Sequence, residues 1–323
     1  MFDRTRRLRS NSILREMVKN TSINVADDLI YPLFVIEGEN IKEEIKSMPN
    51  QYRYSLDKLE EELNELLLLG IKSILLFGIP KIKDEVGSGA YDENGIVQKA
   101  IRMIREKFND KFLIVTDVCM CEYTSHGHCG IIDNCYVDND TTIEYIAKIA
   151  LSHARAGADI VAPSDMMDGR IDKIRKILDE NNYKNIPIMS YSVKYASAFY
   201  GPFREAADSA PSFGDRKTYQ MDFRNNKDYM REIFSDIDEG ADFVMVKPAM
   251  SYLDVVKTVS DNTCLPVVVY NVSGEYSMVK AAAQNGWIDE QKIVLEMMHA
   301  FKRAGADIII TYHAKDIAKW IKK

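Results

Sequence analysis

Three times the chain closes a helix and opens a strand with nearly the same phrase. Arg155-Ala-Gly157-Ala-Asp159-Ile160, Glu239-Gly240-Ala-Asp242-Phe243 and Arg303-Ala-Gly305-Ala-Asp307-Ile308 each set a glycine after a helical stretch and an apolar run after an aspartate. Glycine takes the left-handed conformation that ends a helix, so each phrase reads as helix stop, short loop and strand start. Around these joints the hydrophobic pattern predicts strands at 28–36, 73–78, 112–117, 159–164, 186–193, 242–247, 265–272 and 307–312. Helices are expected from a hydroxyl N-cap at Ser55 to the stop at Gly70, then at 96–108, 141–156, 171–181, 228–239, 252–260, 276–284 and 289–303, with a last one at the C-terminus. Eight strands separated by helices predict an α/β fold, a closed (β/α)₈ TIM barrel, which needs ~250 residues. The surplus of this 323-residue chain falls in loops and in an N-terminal arm, residues 1–25, ahead of a barrel domain at 26–323. A doubly wound open sheet is the alternative, but no Gly-x-Gly-x-x-Gly turn opens any of the helices.

Composition excludes several classes of function. A net charge of −7 without a basic, aromatic-interleaved patch argues against nucleic-acid binding. No apolar run approaches the ~20 residues that span a bilayer. Arg4, Arg6, Arg7 and Arg9 precede no apolar stretch of signal-peptide length, and a cytoplasmic protein is expected.

Polar residues gather where the strands should end. Asp117, Ser164, Lys194, Lys247, Ser273 and Tyr312 all fall there, and a barrel would bring them to one mouth. In Asp242-Phe-Val-Met-Val-Lys247-Pro248 an apolar strand runs into a lysine and is stopped by a proline, which has no N–H for a ladder. A lysine at that place loses hydration, its ammonium form is disfavoured, and the neutral amine can attack a ketone. The alternative is a strand-end lysine whose head reaches water.

Four of the five cysteines, Cys119, Cys121, Cys129 and Cys135, lie within one short stretch, and only Cys264 is remote. Clustered thiols in a long chain without export signals suggest metal or catalysis more than disulfides. Cys119-Met-Cys121 followed eight residues later by Cys129 offers three soft ligands, which select zinc and leave a fourth position open for chemistry. The alternatives are buried free thiols, or a structural site completed by His126, His128 or Cys135.

The cysteine loop, Ala162-Pro-Ser-Asp-Met-Met-Asp-Gly-Arg170, Met189-Ser-Tyr-Ser-Val-Lys194-Tyr-Ala-Ser-Ala-Phe-Tyr-Gly-Pro-Phe-Arg204 and Val246-Lys-Pro248 together resemble the porphobilinogen synthase (5-aminolevulinate dehydratase) family over nearly the whole chain. The resemblance implies a (β/α)₈ hydro-lyase that condenses two 5-aminolevulinate molecules to porphobilinogen in tetrapyrrole (heme) synthesis. It implies that Lys247 forms the Schiff base and that Lys194 is the second active-site lysine. Ser273 and Tyr312 would hold the first substrate's carboxylate. Arg204, Arg216 or Lys217, and Gln220 would clamp the second carboxylate from a lid that also contributes Tyr200 and Phe203. Asp117 and Ser164 would face the second substrate's amino group. All three thiols are present, as in the zinc-dependent branch, so Cys119, Cys121 and Cys129 would hold a catalytic Zn²⁺. Thr218 stands where some relatives have the cysteine of an accessory zinc site, and no such site is expected. Glu232 matches a glutamate that contacts an allosteric Mg²⁺. The arm implies a homo-oligomer, an octamer in the family. A class I aldolase would not need the three thiols, and a zinc scaffold would not need two strand-end lysines.

Overall fold

The computed structural model describes residues 12–321. Eight strands form its centre: β1 Leu29–Ile36, β2 Ser73–Ile79, β3 Leu113–Val118, β4 Ile160–Pro163, β5 Met189–Lys194, β6 Phe243–Lys247, β7 Val267–Asn271 and β8 Ile308–Thr311. They pair in parallel in the order β4-β3-β2-β1-β8-β7-β6-β5. A parallel bridge between Val161 and Ile188 joins the two ends, so the sheet closes into a barrel. The (β/α)₈ expectation is met, and the open-sheet alternative fails because the two strands that would be its edges meet at that bridge. Residues 1–11 of the expected arm lie outside the described residues. Its helix Ser12–Met17 is exposed wherever its side chains are described, as are residues 18–20. No helix among the described residues is long and apolar enough to cross a membrane.

Alternation along the strands builds two cores. Ile30, Phe34, Leu75, Phe77, Val115, Met245, Val268 and Ile310 point into the barrel. Their neighbours Leu29, Val35, Ile74, Leu76, Ile114, Val244, Val269 and Ile309 pack outward on the helices. This period of two is what a strand with both faces buried requires. The outer layer includes α1 Leu56–Leu69, α2 Ile96–Phe108, α3 Asn139–Ala156, α4 Arg170–Glu180, α5 Asp228–Asp238 and α6 Leu253–Asn262. Ser55 stands at the N-cap of α1 as expected, but its hydroxyl does not cap the helix. It accepts from the Ile41 N–H at 2.8 Å and so ties the preceding loop to the helix start.

The repeated phrase has a physical explanation. Gly157, Gly240 and Gly305 adopt φ of 106°, 103° and 111°, conformations that any side chain resists. The aspartate two residues on then binds the start of the neighbouring strand. Asp159 accepts from the Ile114 N–H at 2.6 Å, Asp242 from Ile188 at 2.8 Å and Asp307 from Val267 at 2.8 Å. The same aspartates donate their own N–H back to the carbonyls of Ile114, Ile188 and Val267. Each joint therefore turns the chain and fixes the register of two strands.

The βα loops at the other end of the barrel are unequal. The longest are 119–138, which carries the clustered cysteines and a small hairpin (Ile132–Asp133 with Tyr136–Val137), and 195–227, which carries the short helices Ala198–Tyr200 and Gly201–Ala206.

The joints yield a graded prediction. Gly305→Ala would set a Cβ 2.2 Å from Ser260 Oγ, whereas Gly240→Ala would meet only Arg175 Cγ at 3.4 Å. Both replacements carry the left-handed cost of about 1–2 kcal/mol, and Gly305→Ala should add about 1–3 kcal/mol for the overlap. Chemical denaturation should rank Gly305→Ala as clearly the less stable variant; equal stabilities would discount the contact with Ser260.

Candidate active site

Lys247 ends β6 and Lys194 ends β5, and the two are register partners. They meet because β5 carries one extra residue. Pairing runs Phe243 to Met189 and Val244 to Ser190, then Val246 to Val193. The bulge breaks the alternation: Met189 and Tyr191 face inward, Val193 faces the helices, and Lys194 turns back into the mouth.

Both lysines are buried. Lys247 Nζ lies 4.2 Å from the ring centre of Tyr270, 5.0 Å from Tyr191, 5.2 Å from Phe203 and 5.5 Å from Tyr200. Burial among these rings, and then the charge of Lys194, bring its pKa down to about 7. The snorkelling alternative is thereby excluded, since the amine stays in the pocket. Lys194 Nζ donates to the Ser164 carbonyl. Ser164 Oγ donates to Asp117 at 3.3 Å, and burial, then Glu122, push the Asp117 carboxyl up to about 7.

Across the same pocket stand the thiols. The sulfurs of Cys119, Cys121 and Cys129 lie within 4.8 Å of one another, all buried, and Cys121 lines the pocket with Lys247. Cys119 and Cys121 donate toward Cys129 and, with Arg216, hold its thiol well below the usual range. A shared thiolate among three soft donors suits a soft divalent metal. None of the three side chains proposed to complete a structural site takes part. Cys135 is exposed, His126 lies by the Glu85 carbonyl, and the His128 ring is occupied by the lid. Carboxylates of Asp117 and Glu122 instead flank Cys119.

The segment 195–227 covers the mouth and is held to the cysteine loop. His128 Nε2 donates to the Phe213 carbonyl at 3.0 Å, which leaves Nδ1 to accept from the Tyr219 hydroxyl at 3.1 Å. Arg216 donates to the carbonyls of Gly127 at 2.8 Å and Ser209 at 2.6 Å. Arg216 is buried and Arg204 half-buried, and the Nε of each lacks a partner. Burial, and then the charge of Arg216, hold the Arg204 guanidinium below its usual range. A solvated loop would show none of this.

The other sequence-predicted residues divide. Tyr200 donates to the Lys247 carbonyl at 3.2 Å, and Ser273 accepts from the Phe203 N–H at 3.0 Å. Tyr312 is buried with its hydroxyl 3.0 Å from that of Tyr270. Lys217 is exposed and pairs with Asp215 at 3.1 Å, because Arg216 takes the inward position and its neighbour turns out. Lys217 and the buried Gln220 line a wider cleft of about 640 Å³ that also contains Glu232. Glu232 is no ordinary surface glutamate: it meets the buried Arg170 at 3.3 Å, and burial raises its pKa. The sequence reading missed Glu122, Tyr191, Tyr270 and Tyr219. Alternation from Lys194 hides Tyr191 because of the bulge, whereas the period of two along β7 would have turned Tyr270 inward.

Fold and pocket define a barrel enzyme with a buried amine of lowered pKa in one pocket with a thiol group that could hold a metal. The chain belongs to the delta-aminolevulinic acid dehydratase family, whose model matches residues 2–320. Delta-aminolevulinic acid dehydratases of Staphylococcus epidermidis and Staphylococcus aureus (strain Mu50) are 58% and 57% identical over 324 residues, covering 100% of this chain and 99% of each relative. The crystal structure of a porphobilinogen synthase from Toxoplasma gondii ME49, in complex with the reaction product porphobilinogen, superposes with a TM-score of 0.96 at 44% identity. It covers 99% of this chain and 92% of that one. A 7,8-dihydropteroate synthase from Vibrio fischeri ES114, at 14% identity and a TM-score of 0.50, shares the fold alone.

Cobalt(II) tests the thiol group directly. Added to the reduced protein, it should develop the strong near-ultraviolet absorption of thiolate coordination. Serine at Cys119, Cys121 or Cys129 should remove the band, and Cys135→Ser and His128→Ala should keep it. A band that survives Cys129→Ser, or vanishes with Cys135→Ser, would move the ligand set.

Proposed function

We propose that the chain performs its family's reaction, joining two 5-aminolevulinate molecules into porphobilinogen with loss of two waters, through a Schiff base on Lys247. The observation that carries this is the buried Lys247 amine, its pKa brought to about 7, side by side with Lys194 and sharing one pocket with Cys121 of the thiol group. Lys247 Nζ attacks the ketone carbon of the first substrate, its proton passes to the departing hydroxyl, and water leaves as the imine forms. Ser273 and Tyr312, on the neighbouring strand ends, hold that substrate's carboxylate. Arg204 and Arg216, which line the same pocket and each have an unpartnered Nε, take the second carboxylate. Gln220 closes the lid behind them, and Lys217 has no part in this conformation. Asp117, held near neutrality, and Ser164 exchange a proton with the second substrate's amino group. Tyr200 and Phe203 keep water from the imine.

Zn²⁺ held by the thiolates of Cys119, Cys121 and Cys129 would supply a Lewis acid for the second substrate's carbonyl. Glu232, partly open to the wide cleft beside Arg170, is the proposed allosteric Mg²⁺ contact. The arm, residues 1–25, is proposed to pack on a neighbouring copy in a homo-octamer, and the enzyme to work in the cytoplasm.

Borohydride with 5-aminolevulinate should trap an adduct on Lys247, and the trapping rate should rise with pH to half its plateau near 7, because the protonated amine cannot attack. Lys194→Met removes a neighbouring cation and should move that midpoint upward. Chelation should stop turnover and leave trapping intact. No adduct on Lys247, or a midpoint close to that of free lysine, would refute the assignment.

Arg204→Ala should raise KM and lower kcat/KM by ~10- to 150-fold, the equivalent of about 1.5–3 kcal/mol for a charge-assisted hydrogen bond. Arg204→Lys should rescue poorly, since a point charge cannot reproduce the guanidinium fork. Steady-state kinetics unchanged in both variants would return Arg204 to a structural part of the lid.

A further inference from the structure

Behind the pocket lies a buried polar chain that spans three strands. Glu275, on the helix Ser273–Gln284, accepts from the Met250 N–H at 2.8 Å with one oxygen. With the other it accepts from the Val272 N–H at 3.0 Å and from Asn271 Nδ2 at 2.9 Å. Asn271 Oδ1 in turn accepts from the Thr311 hydroxyl at 2.9 Å, and Thr311 Oγ1 accepts from the His313 N–H at 3.1 Å. Glu275, Asn271 and Thr311 are each 0% exposed. With Glu275 ionised, the amide nitrogen of Asn271 must face the carboxylate, so its oxygen faces the hydroxyl.

This arrangement does more than cap a helix. Capping needs only the Val272 N–H, which belongs to the helix start. The bond to Met250 reaches the loop that follows β6, and the bonds through Asn271 and Thr311 cross β7 to β8. Those three places adjoin the residues assigned to the first substrate. Met250 lies three positions after Lys247, Val272 precedes Ser273, and Thr311 precedes Tyr312. Among the described residues no lysine or arginine bonds the carboxylate, and burial pushes it up to about 7. A buried carboxylate held only by neutral donors is costly, and such a network fixes geometry closely when all its members are satisfied.

We propose that Glu275, Asn271 and Thr311 form a positioning network that locks the ends of β6, β7 and β8 together, so that the Lys247 amine meets the ketone of a substrate whose carboxylate is held by Ser273 and Tyr312. The proposal rests on the reading of Lys247 as the Schiff-base lysine. None of the three touches the substrate. They act through the strand ends they join.

The test uses the full-length, zinc-loaded enzyme and compares Thr311→Val, Thr311→Ser and Glu275→Gln. Valine keeps the shape of threonine and removes the hydroxyl; serine keeps the hydroxyl. Thr311→Val should slow borohydride trapping of 5-aminolevulinate about tenfold, on the order of one buried hydrogen bond. Thr311→Ser should restore it to within about twofold. Glu275→Gln turns an acceptor into a donor facing N–H groups, and should slow trapping at least as much as Thr311→Val. Bound metal and the cobalt absorption should stay unchanged in every folded variant, since the thiols stand on the other side of the mouth. Trapping at the wild-type rate in Thr311→Val overturns the proposal. So does a loss in both Thr311→Val and Glu275→Gln that only follows the fraction of unfolded protein, or a loss that Thr311→Ser shares in full. A wild-type enzyme that traps nothing on Lys247 fails the reading beneath it, and the proposal falls with it.

Discussion

Like charges a few ångströms apart in a medium of low dielectric repel strongly, and Lys247 and Lys194 end neighbouring strands with almost no water around them. The pocket resolves the conflict by holding one amine near neutrality and giving the other the Ser164 carbonyl. Aromatic rings around Lys247 keep the repulsion from being screened. Across the pocket the Cys129 thiol, held low by its two neighbouring thiols, favours negative charge, while burial holds the carboxyls of Asp117 and Glu122 up. Much of the chemistry at this mouth follows from that separation: an amine poised to attack, a carboxyl near its own midpoint, and sulfurs that attract a cation.

The lid obeys a second electrostatic constraint. Arg204 and Arg216 bring two guanidinium groups to one pocket, and bonds from His128 and Arg216 to backbone carbonyls keep the segment down. The His128 ring, adjacent to a thiol of the metal group, grips Phe213 and Tyr219. Thr218 stands in the same stretch of chain, and the histidine holds that stretch through Phe213 and Tyr219. The cysteine loop and the segment over the mouth are thus joined at Gly127 and His128.

Much of the fold was legible because it is written in local terms. A glycine that must turn left, an aspartate that starts a strand and a period of two along each apolar run depend on near neighbours, and these gave eight strands in order. The pocket was legible at the strand ends and through the longer motifs, which carried Lys247, Lys194 and the thiols. What stayed hidden depends on contacts between distant segments. The orientation of Lys217 is set by its neighbour Arg216 reaching Gly127, far away in sequence. Glu275 looks like the ordinary acid of a helix first turn until the Met250 and Asn271 groups are seen beside it. The Ser55 hydroxyl was placed by type alone, and its partner turned out to be a loop residue rather than its own helix.

The bulge in β5 gives the active site an unusual dependence on counting. Side-chain identity puts a lysine near the end of the strand, but only the bulge before Val193, which takes one residue out of the alternation, turns that lysine inward. Run as a regular strand from Met189, the same residues would set the valine at the mouth and the amine among the helices, where its charge would be far more costly. The second lysine is therefore placed by an irregularity of the strand as much as by its own codon. Replacements along β5 that keep the bulge should keep the lysine in the mouth, whereas replacements that straighten the strand at its present length should turn it out.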